Sequence, residues 1–187
     1  MTALDMGRLL VISGPSGCGK STICQRLLED SQVQFSVSVT TRPMRKGEVH
    51  GRDYFFVNKD AFRKHIEAGD FIEWAEVHGN LYGTMRAPME AALLAGRHYL
   101  MEVDVQGGAT LKTLELDVPN LFIFIAPPSM EVLKERLVGR GTDAPEVIER
   151  RLKKAHEEML SADKYDHVVV NEDLEQALLR VRELAGL

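Results

Sequence analysis

The stretch Gly14-Pro15-Ser16-Gly17-Cys18-Gly19-Lys20-Ser21 fits the spacing G-x-x-x-x-G-K-[ST], which is built to cradle the phosphates of a nucleoside triphosphate. Its residue types supply the reason. Glycines let successive backbone N–H groups converge on phosphate oxygens, and a helix opening at the end of the loop adds its partial positive charge. The Lys20 ammonium would neutralise the β- and γ-phosphates, the Ser21 hydroxyl would ligate Mg²⁺, and Thr22 follows beside the phosphates. Alone, this pattern implies triphosphate binding without separating a kinase from an ATPase, a GTPase or a nucleotide-gated switch.

Other groups could do chemistry beside it. Between Ser36 and Phe55 lie the hydroxyls of Ser38, Thr40 and Thr41, the cations Arg42, Arg45 and Lys46, and the phenol of Tyr54. Arginine forks suit bidentate phosphate contacts, although such a cluster taken singly reads as solvated surface charge. Arg136 and Arg140 stand at i and i+4 just before a glycine-flanked turn, and Arg151 returns beside Arg150. By themselves these read as charged helices pairing with Glu131, Glu135 and Glu149. Glu73 lies in an alternating segment and reads in isolation as the wet face of a strand, with Trp74 as core packing. Asp104 follows the apolar run from Tyr99 to Val103, at the carboxyl edge where open α/β sheets place ligand groups. Glu102 sits inside that run, is costly to bury unpaired, and is expected to face Mg²⁺-bound water or an arginine.

The elements that must position these groups follow from periodicity. Continuous apolar runs at Arg8–Ile12, His98–Val103, Leu121–Ile125 and His167–Val170 read as strands covered on both faces, hence a parallel α/β sheet. A helix starting near Gly19-Lys20 would carry Ile23, Leu27 and Leu28 inward. Further helices are expected over Arg86–Ala95, Ser129–Val138, Pro145–Ser161 and Glu172–Leu184, with Ser129 as an N-cap and Pro145 at a first helical position. From Phe35 to Tyr82 the pattern changes to short alternating segments at Phe35–Val39, Tyr54–Val57 and Phe71–Val77. Alternation implies a half-exposed mixed sheet, read as an insertion that covers a ligand.

Composition bounds the rest. The chain has 187 residues, 44% of them hydrophobic and 27% charged, which suits one compact domain with an ordinary core. A net charge of −5 argues against a nucleic-acid-coating surface or a polybasic membrane anchor. The longest apolar run, Leu121–Ala126, falls far short of the ~20 residues that span a bilayer, and Leu9–Ile12 is too short for a secretory signal core. A soluble cytoplasmic protein is expected. Cys18 and Cys24 would be ~9 Å apart along a helix axis, beyond disulfide reach, and read as reduced packing residues. The six histidines show no metal-ligand spacing, so no zinc site is expected.

Taken in order, these segments resemble guanylate kinases, phosphate-loop enzymes that transfer the ATP γ-phosphoryl group to GMP. The likeness runs through GPSGCGKST, SVSVTTRPMRKGEVHGRDYFF, FIEWAEVHGNLYGT, EVDVQG, IAPPS, RLVGRGTD with VIERRL, and VVVNED. It implies a nucleoside monophosphate kinase architecture over 1–187, with an acceptor-binding insertion at about 37–87 and a lid at about 129–151. It implies that Arg42, Arg45, Tyr54 and Tyr82 hold the GMP phosphate, and that Ser38, Glu73, Thr84 and Asp104 surround the guanine. Glu102, where the family often has Asp, joins the acceptor side. Gly14 to Thr22 with Arg136, Arg140 and Asn171 would hold ATP with Mg²⁺, and Lys20, Arg136, Arg140 and Arg151 would meet the charge of the moving phosphoryl group. The implied reaction is direct in-line transfer, without a general base, in a monomer or homodimer. A phosphopeptide- or nucleotide-binding module without turnover, or a kinase of another phosphorylated acceptor, stands beside this expectation.

Overall fold

The computed structural model describes residues 6–77, 79–139 and 144–187. In chain order the elements are β1 (Leu9–Ser13), α1 (Lys20–Leu27), β2 (Val33–Phe35), β3 (Val39–Thr40), β4 (Phe55–Phe56), α2 (Lys59–Glu67), β5 (Phe71–Val77) and β6 (Asn80–Met85). There follow α3 (Arg86–Leu94), β7 (His98–Glu102), α4 (Val105–Thr113), β8 (Asn120–Ala126), α5 (Met130–Gly139), α6 (Pro145–Met159), β9 (His167–Val170) and α7 (Leu174–Ala185). Among these residues no helix is long and apolar enough to cross a membrane.

One sheet runs β2-β7-β1-β8-β9, parallel throughout. Its central strand β1 is buried at every residue, as an uninterrupted apolar run requires. Leu10, Ile12, Leu100, Ile123 and Ile125 pack on one face with Ile23 and Leu27 of α1 and Leu178 and Val181 of α7. Leu9, Val11, Tyr99, Met101, Phe122 and Phe124 pack on the other, with Met89 and Leu93 of α3 and Leu111 of α4. Both parities of β1, β7 and β8 are therefore buried, whereas β9, expected to be covered on both faces, is an edge strand that exposes Val168 and Val170; the carboxyl ends of β1 and β7 open together into a crevice.

A second sheet, β4-β3-β6-β5, mixes parallel and antiparallel pairs and carries α2. Val39, Phe62 and Phe71 form its own small core. The arm made by α5 and α6 has another, from Leu133, Leu137, Ile148 and Ala155. Ser129 caps α5 through the Val132 N–H at 3.2 Å, and Pro145 opens α6, both as expected.

Several expectations are corrected. The alternating run Phe35–Val39 is two strands in two sheets: β2 lies on the edge of the parallel sheet, β3 lies in the small one, and Ser36–Ser38 connects them. Tyr54–Val57 contracts to Phe55–Phe56. Trp74 is not core packing but 49% exposed. It lies on an edge strand whose register shifts between Phe71 and Glu73, so Phe71 and Ile72 are both buried and Trp74, opposite Gly83, faces outward. Leu28 falls just past the last turn of α1 and is exposed. Helix α7 starts at Leu174, because Asp173 caps it through the Gln176 N–H at 2.9 Å. Helix α5 runs through Gly139 instead of stopping before it, and α6 ends at Met159, short of Ser161.

Candidate active site

The phosphate loop joins β1 to α1 and is held from below and from the side. Gly14, Gly17 and Gly19 have φ of 139, 92 and 99°, in the region that side chains avoid. A Cβ at Gly14 would lie 2.1 Å from the Ile125 carbonyl oxygen, and one at Gly19 would lie 2.2 Å from the Asn171 amide nitrogen. Glycine is required there by space as well as by dihedral angle. Lys20 Nζ donates to the carbonyls of Gly14 at 2.6 Å and Pro15 at 3.0 Å, so its ammonium stays over the loop. Cys18 is fully buried among core residues, and burial pushes its thiol pKa up. Its side chain therefore packs beneath the loop while its backbone belongs to it.

Asn171, expected on the adenine side, is 5% exposed and donates from Nδ2 to the Cys18 carbonyl at 2.8 Å. Arg136 Nη2 donates to the Asn171 carbonyl at 2.9 Å. Asn171 thus ties the loop to the carboxyl end of β9, and Arg136 ties α5 to the same residue. Both border a groove of about 570 Å³ with Gly17, Gly19 and Thr22.

On the other side of the loop lies a cleft of about 540 Å³, lined by Lys20, Ser21, Ser38, Tyr54, Glu102, Asp104 and Arg151 among others. Glu102, at the end of β7, accepts from Ser21 Oγ at 2.6 Å. Its partner is this hydroxyl, where Mg²⁺-bound water or an arginine was expected. Asp104 caps α4 by accepting from the Gly107 N–H at 2.7 Å, and it faces the cleft.

Ser38, Asp53 and Tyr54, which flank strands of the small sheet, line the cleft from that side. Glu73 stands opposite Thr84 across β5 and β6, and Thr84 Oγ1 donates to Glu73 Oε1 at 2.7 Å. Burial pushes the Glu73 carboxyl pKa up; the Thr84 hydrogen bond lowers it and the Asp104 charge raises it further. Arg42 forms a bidentate pair with Glu48, at 2.7 and 3.1 Å, and its guanidinium lies 5.5 Å from the Tyr54 ring centre. Tyr54 meets Tyr82 edge-on at 6.0 Å between centres. The structure therefore brings Arg42, Tyr54 and Tyr82 together, and Glu73 with Thr84. Arg45 is exposed and joins the group through its backbone N–H, which donates to Glu48 at 2.7 Å.

Of the arginines expected over the phosphates, Arg151 of α6 lines the cleft. Arg136 turns to Asn171. Arg140 lies outside the described residues, as do residues 141–143, where a turn was expected.

A profile of the family described as guanylate kinase matches residues 6–185. The guanylate kinase of Corynebacterium diphtheriae is 49% identical over 182 residues, spanning 96% of this chain and 94% of that protein. That of Corynebacterium jeikeium is 47% identical over 184 residues, spanning 97% of each. The crystal structure of guanylate kinase from Anaplasma phagocytophilum aligns with a TM-score of 0.72 at 38% identity, over 96% of this chain and 84% of that one. The chain belongs to the guanylate kinase family.

Sequence reasoning missed several residues that this member of the guanylate kinase family places at the cleft. Asp53, Lys154 and Glu158 line it, and Glu48 pairs with Arg42 behind it. Lys154 and Glu158 follow Arg151 at i+3 and i+7, so helical spacing could have found them. Glu48 carried no such signal, because its role depends on a turn whose course periodicity does not describe.

Proposed function

We propose that the protein transfers the γ-phosphoryl group of ATP to GMP, giving ADP and GDP, by direct in-line transfer between nucleotides bound at the two ends of the cleft. The observation that carries this reading is one cleft that runs from the phosphate loop to Ser38, Tyr54 and Asp104, with the carboxylate–hydroxyl pair of Glu73 and Thr84 near enough for the Asp104 charge to act on Glu73. Guanine offers N1–H and N2–H₂ as adjacent donors, and the Glu73 carboxylate is suited to accept both. The Ser38 hydroxyl serves O6 or N7, as that of Thr84 would on turning from Glu73, and Asp104 borders the cleft. An adenine, lacking both donors, would leave the carboxylate unpaired in a partly dry site, which sites of this kind reject strongly.

Arg42, Arg45, Tyr54 and Tyr82 hold the acceptor phosphate in this reading. Gly14 to Thr22 hold the donor phosphates, with Lys20 neutralising them and Asn171 bracing the loop beneath. Arg151 meets charge on the moving group, and Arg136 and Arg140 complete the lid (about 129–151) over ATP when it closes. The hard oxygen pair of Ser21 Oγ and Glu102, 2.6 Å apart at the mouth of the loop, fits Mg²⁺, held directly or through water. Bound there, Mg²⁺ would supply charge neutralisation between the phosphates. An acceptor phosphate oxygen is already anionic at neutral pH, so no side chain need act as general base. Closure of the arm and of the insertion (about 37–87) excludes water and limits ATP hydrolysis.

The test is an ADP-release assay with Mg·ATP and each of GMP, AMP, CMP, UMP and dGMP, with an acceptor-free blank. Formation of ADP and GDP that depends on GMP is expected. ATP binding without turnover on any acceptor would replace the reading with a binding module, and ADP release in the blank would replace it with an ATPase.

A further inference from the structure

Glu48 has none of the roles above, yet it is the residue through which both acceptor-side arginines are held. A guanidinium has five N–H donors in a rigid fork. On Arg42, Nη1 donates to the Pro43 carbonyl at 2.8 Å and to Glu48 Oε2 at 3.1 Å, and Nη2 donates to Glu48 Oε1 at 2.7 Å. The two donors left over, the second Nη2–H and the Nε–H, share one edge of the fork. That edge is a bidentate match for a phosphate. Glu48 first, and the Tyr82 phenol to a lesser degree, raise the pKa of the same guanidinium.

The plane of the group is fixed as well as its edge. Tyr54 and Phe56 place their ring centres 5.5 and 5.6 Å from the Arg42 guanidinium carbon. Glu48 Oε2 also accepts from the Arg45 N–H at 2.7 Å, while the Glu48 N–H donates to the Arg45 carbonyl at 3.2 Å across the turn at Gly47. The pair is only 11% and 20% exposed at the side chains of Arg42 and Glu48. Hydrogen bonds from Arg42 and from the Arg45 backbone hold the Glu48 carboxyl below the usual carboxylate range, so it stays ionised at working pH.

We propose that Glu48 is a positioning residue for the acceptor phosphate: it occupies one edge of Arg42, leaves the other for the phosphate, and fixes the turn that carries Arg45. The inference rests on the reading of Arg42, Arg45, Tyr54 and Tyr82 as the phosphate cradle. A carboxylate that merely stabilised the loop would affect any ligand of the small sheet alike. A positioning carboxylate acts on the phosphate and acts through Arg42.

The experiment compares the parent with Glu48→Gln, Glu48→Asp, Arg42→Ala and the double variant Glu48→Gln/Arg42→Ala. It measures KM for GMP, KM for ATP, inhibition by guanosine, which has the base and lacks the phosphate, and the melting temperature. Glu48→Gln keeps the shape and removes the charge, and should raise KM for GMP roughly ten- to hundredfold. KM for ATP and inhibition by guanosine should stay within about twofold, and Glu48→Asp should recover part of the loss. In the Arg42→Ala background Glu48→Gln should add only the smaller effect that runs through the Arg45 turn. Equal weakening of guanosine and GMP, or full additivity in the double variant, would overturn the proposal, as would a wild-type KM for GMP in a folded Glu48→Gln protein. If instead Arg42→Ala itself left GMP binding intact, the phosphate-cradle reading would fall first.

Discussion

Replacing Glu73 with Gln changes one oxygen to an NH₂ group at constant shape, and the structure says which way the effects run. Thr84 Oγ1 donates to Glu73 Oε1 at 2.7 Å, and a glutamine can keep that bond by presenting its own oxygen. Its amide nitrogen then points where the second carboxylate oxygen stood, donor against a guanine N–H. One charge-assisted hydrogen bond, worth about 1.5–3 kcal/mol, is lost, and a buried donor is left unsatisfied at about 1–3 kcal/mol more. The two together correspond to a fall in kcat/KM for GMP of about sixtyfold to about twenty-thousandfold. Stability should move the opposite way. Burial, and then the Asp104 charge, raise the Glu73 pKa in the folded state despite the Thr84 bond. The folded protein therefore binds this proton more tightly than the unfolded chain. Any stability from that group is complete below its unfolded pKa and is lost as pH rises through the folded one. At pH 7 the ionised carboxylate is a burden that Gln does not carry. The variant should melt at or above the parent temperature at pH 7, with the gain shrinking toward pH 4. Steady-state kinetics with GMP and thermal melts at both pH values decide the matter. A variant that used GMP within threefold of the parent would refute the base-reading role. One that melted several degrees lower at pH 7 would show that the carboxylate supports the fold.

Lys20→Met removes the ammonium held over the loop by the Gly14 and Pro15 carbonyls, and should cost turnover on the order of a hundredfold or more with the circular dichroism spectrum unchanged. Unimpaired turnover would remove the donor site from the loop. Cys18 is fully buried with its pKa raised, so iodoacetamide should fail to alkylate it in the folded protein at pH 8, as mass spectrometry of the peptide would report. Asn171→Ala leaves the Cys18 carbonyl without its 2.8 Å donor and should destabilise by about 1–3 kcal/mol, seen as a melting temperature lower by several degrees, together with a raised KM for ATP.

These experiments divide along the line between what periodicity carries and what it does not. The parallel strands were legible because β1, β7, β8 and β9 are apolar in runs, and the phosphate loop because its glycines are demanded locally, by dihedral angle and by contact with Ile125 and Asn171. Helix α4 was not legible. Its Gly107 and Gly108 lower helix propensity, yet a Cβ at Gly108 would lie 2.2 Å from the Tyr165 hydroxyl, so tertiary packing selects the residue that local preference disfavours. Trp74 misled for the related reason that one shift of register on an edge strand reverses which face a large side chain takes.

The same division applies to the candidate site. Lys20 and Ser21 are readable because their chemistry lies within one loop, whereas Glu73 becomes a base-reading candidate only beside Thr84, eleven residues along the chain on the neighbouring strand. Family resemblance named both residues in advance, but neither their pairing nor its electrostatic state. Among the described residues the partly buried carboxyl is held by a single side-chain hydroxyl, with Asp104 opposing its ionisation. A guanine donating two N–H groups would favour the charged form that the empty site disfavours. GMP binding should therefore release a proton at pH values near the raised pKa, and its affinity should fall as the medium is acidified through that range while the affinity for ATP does not. Calorimetry in two buffers of different ionisation enthalpy measures that proton directly. A GMP-binding enthalpy independent of the buffer throughout the acidic range would mean that Glu73 does not meet the base.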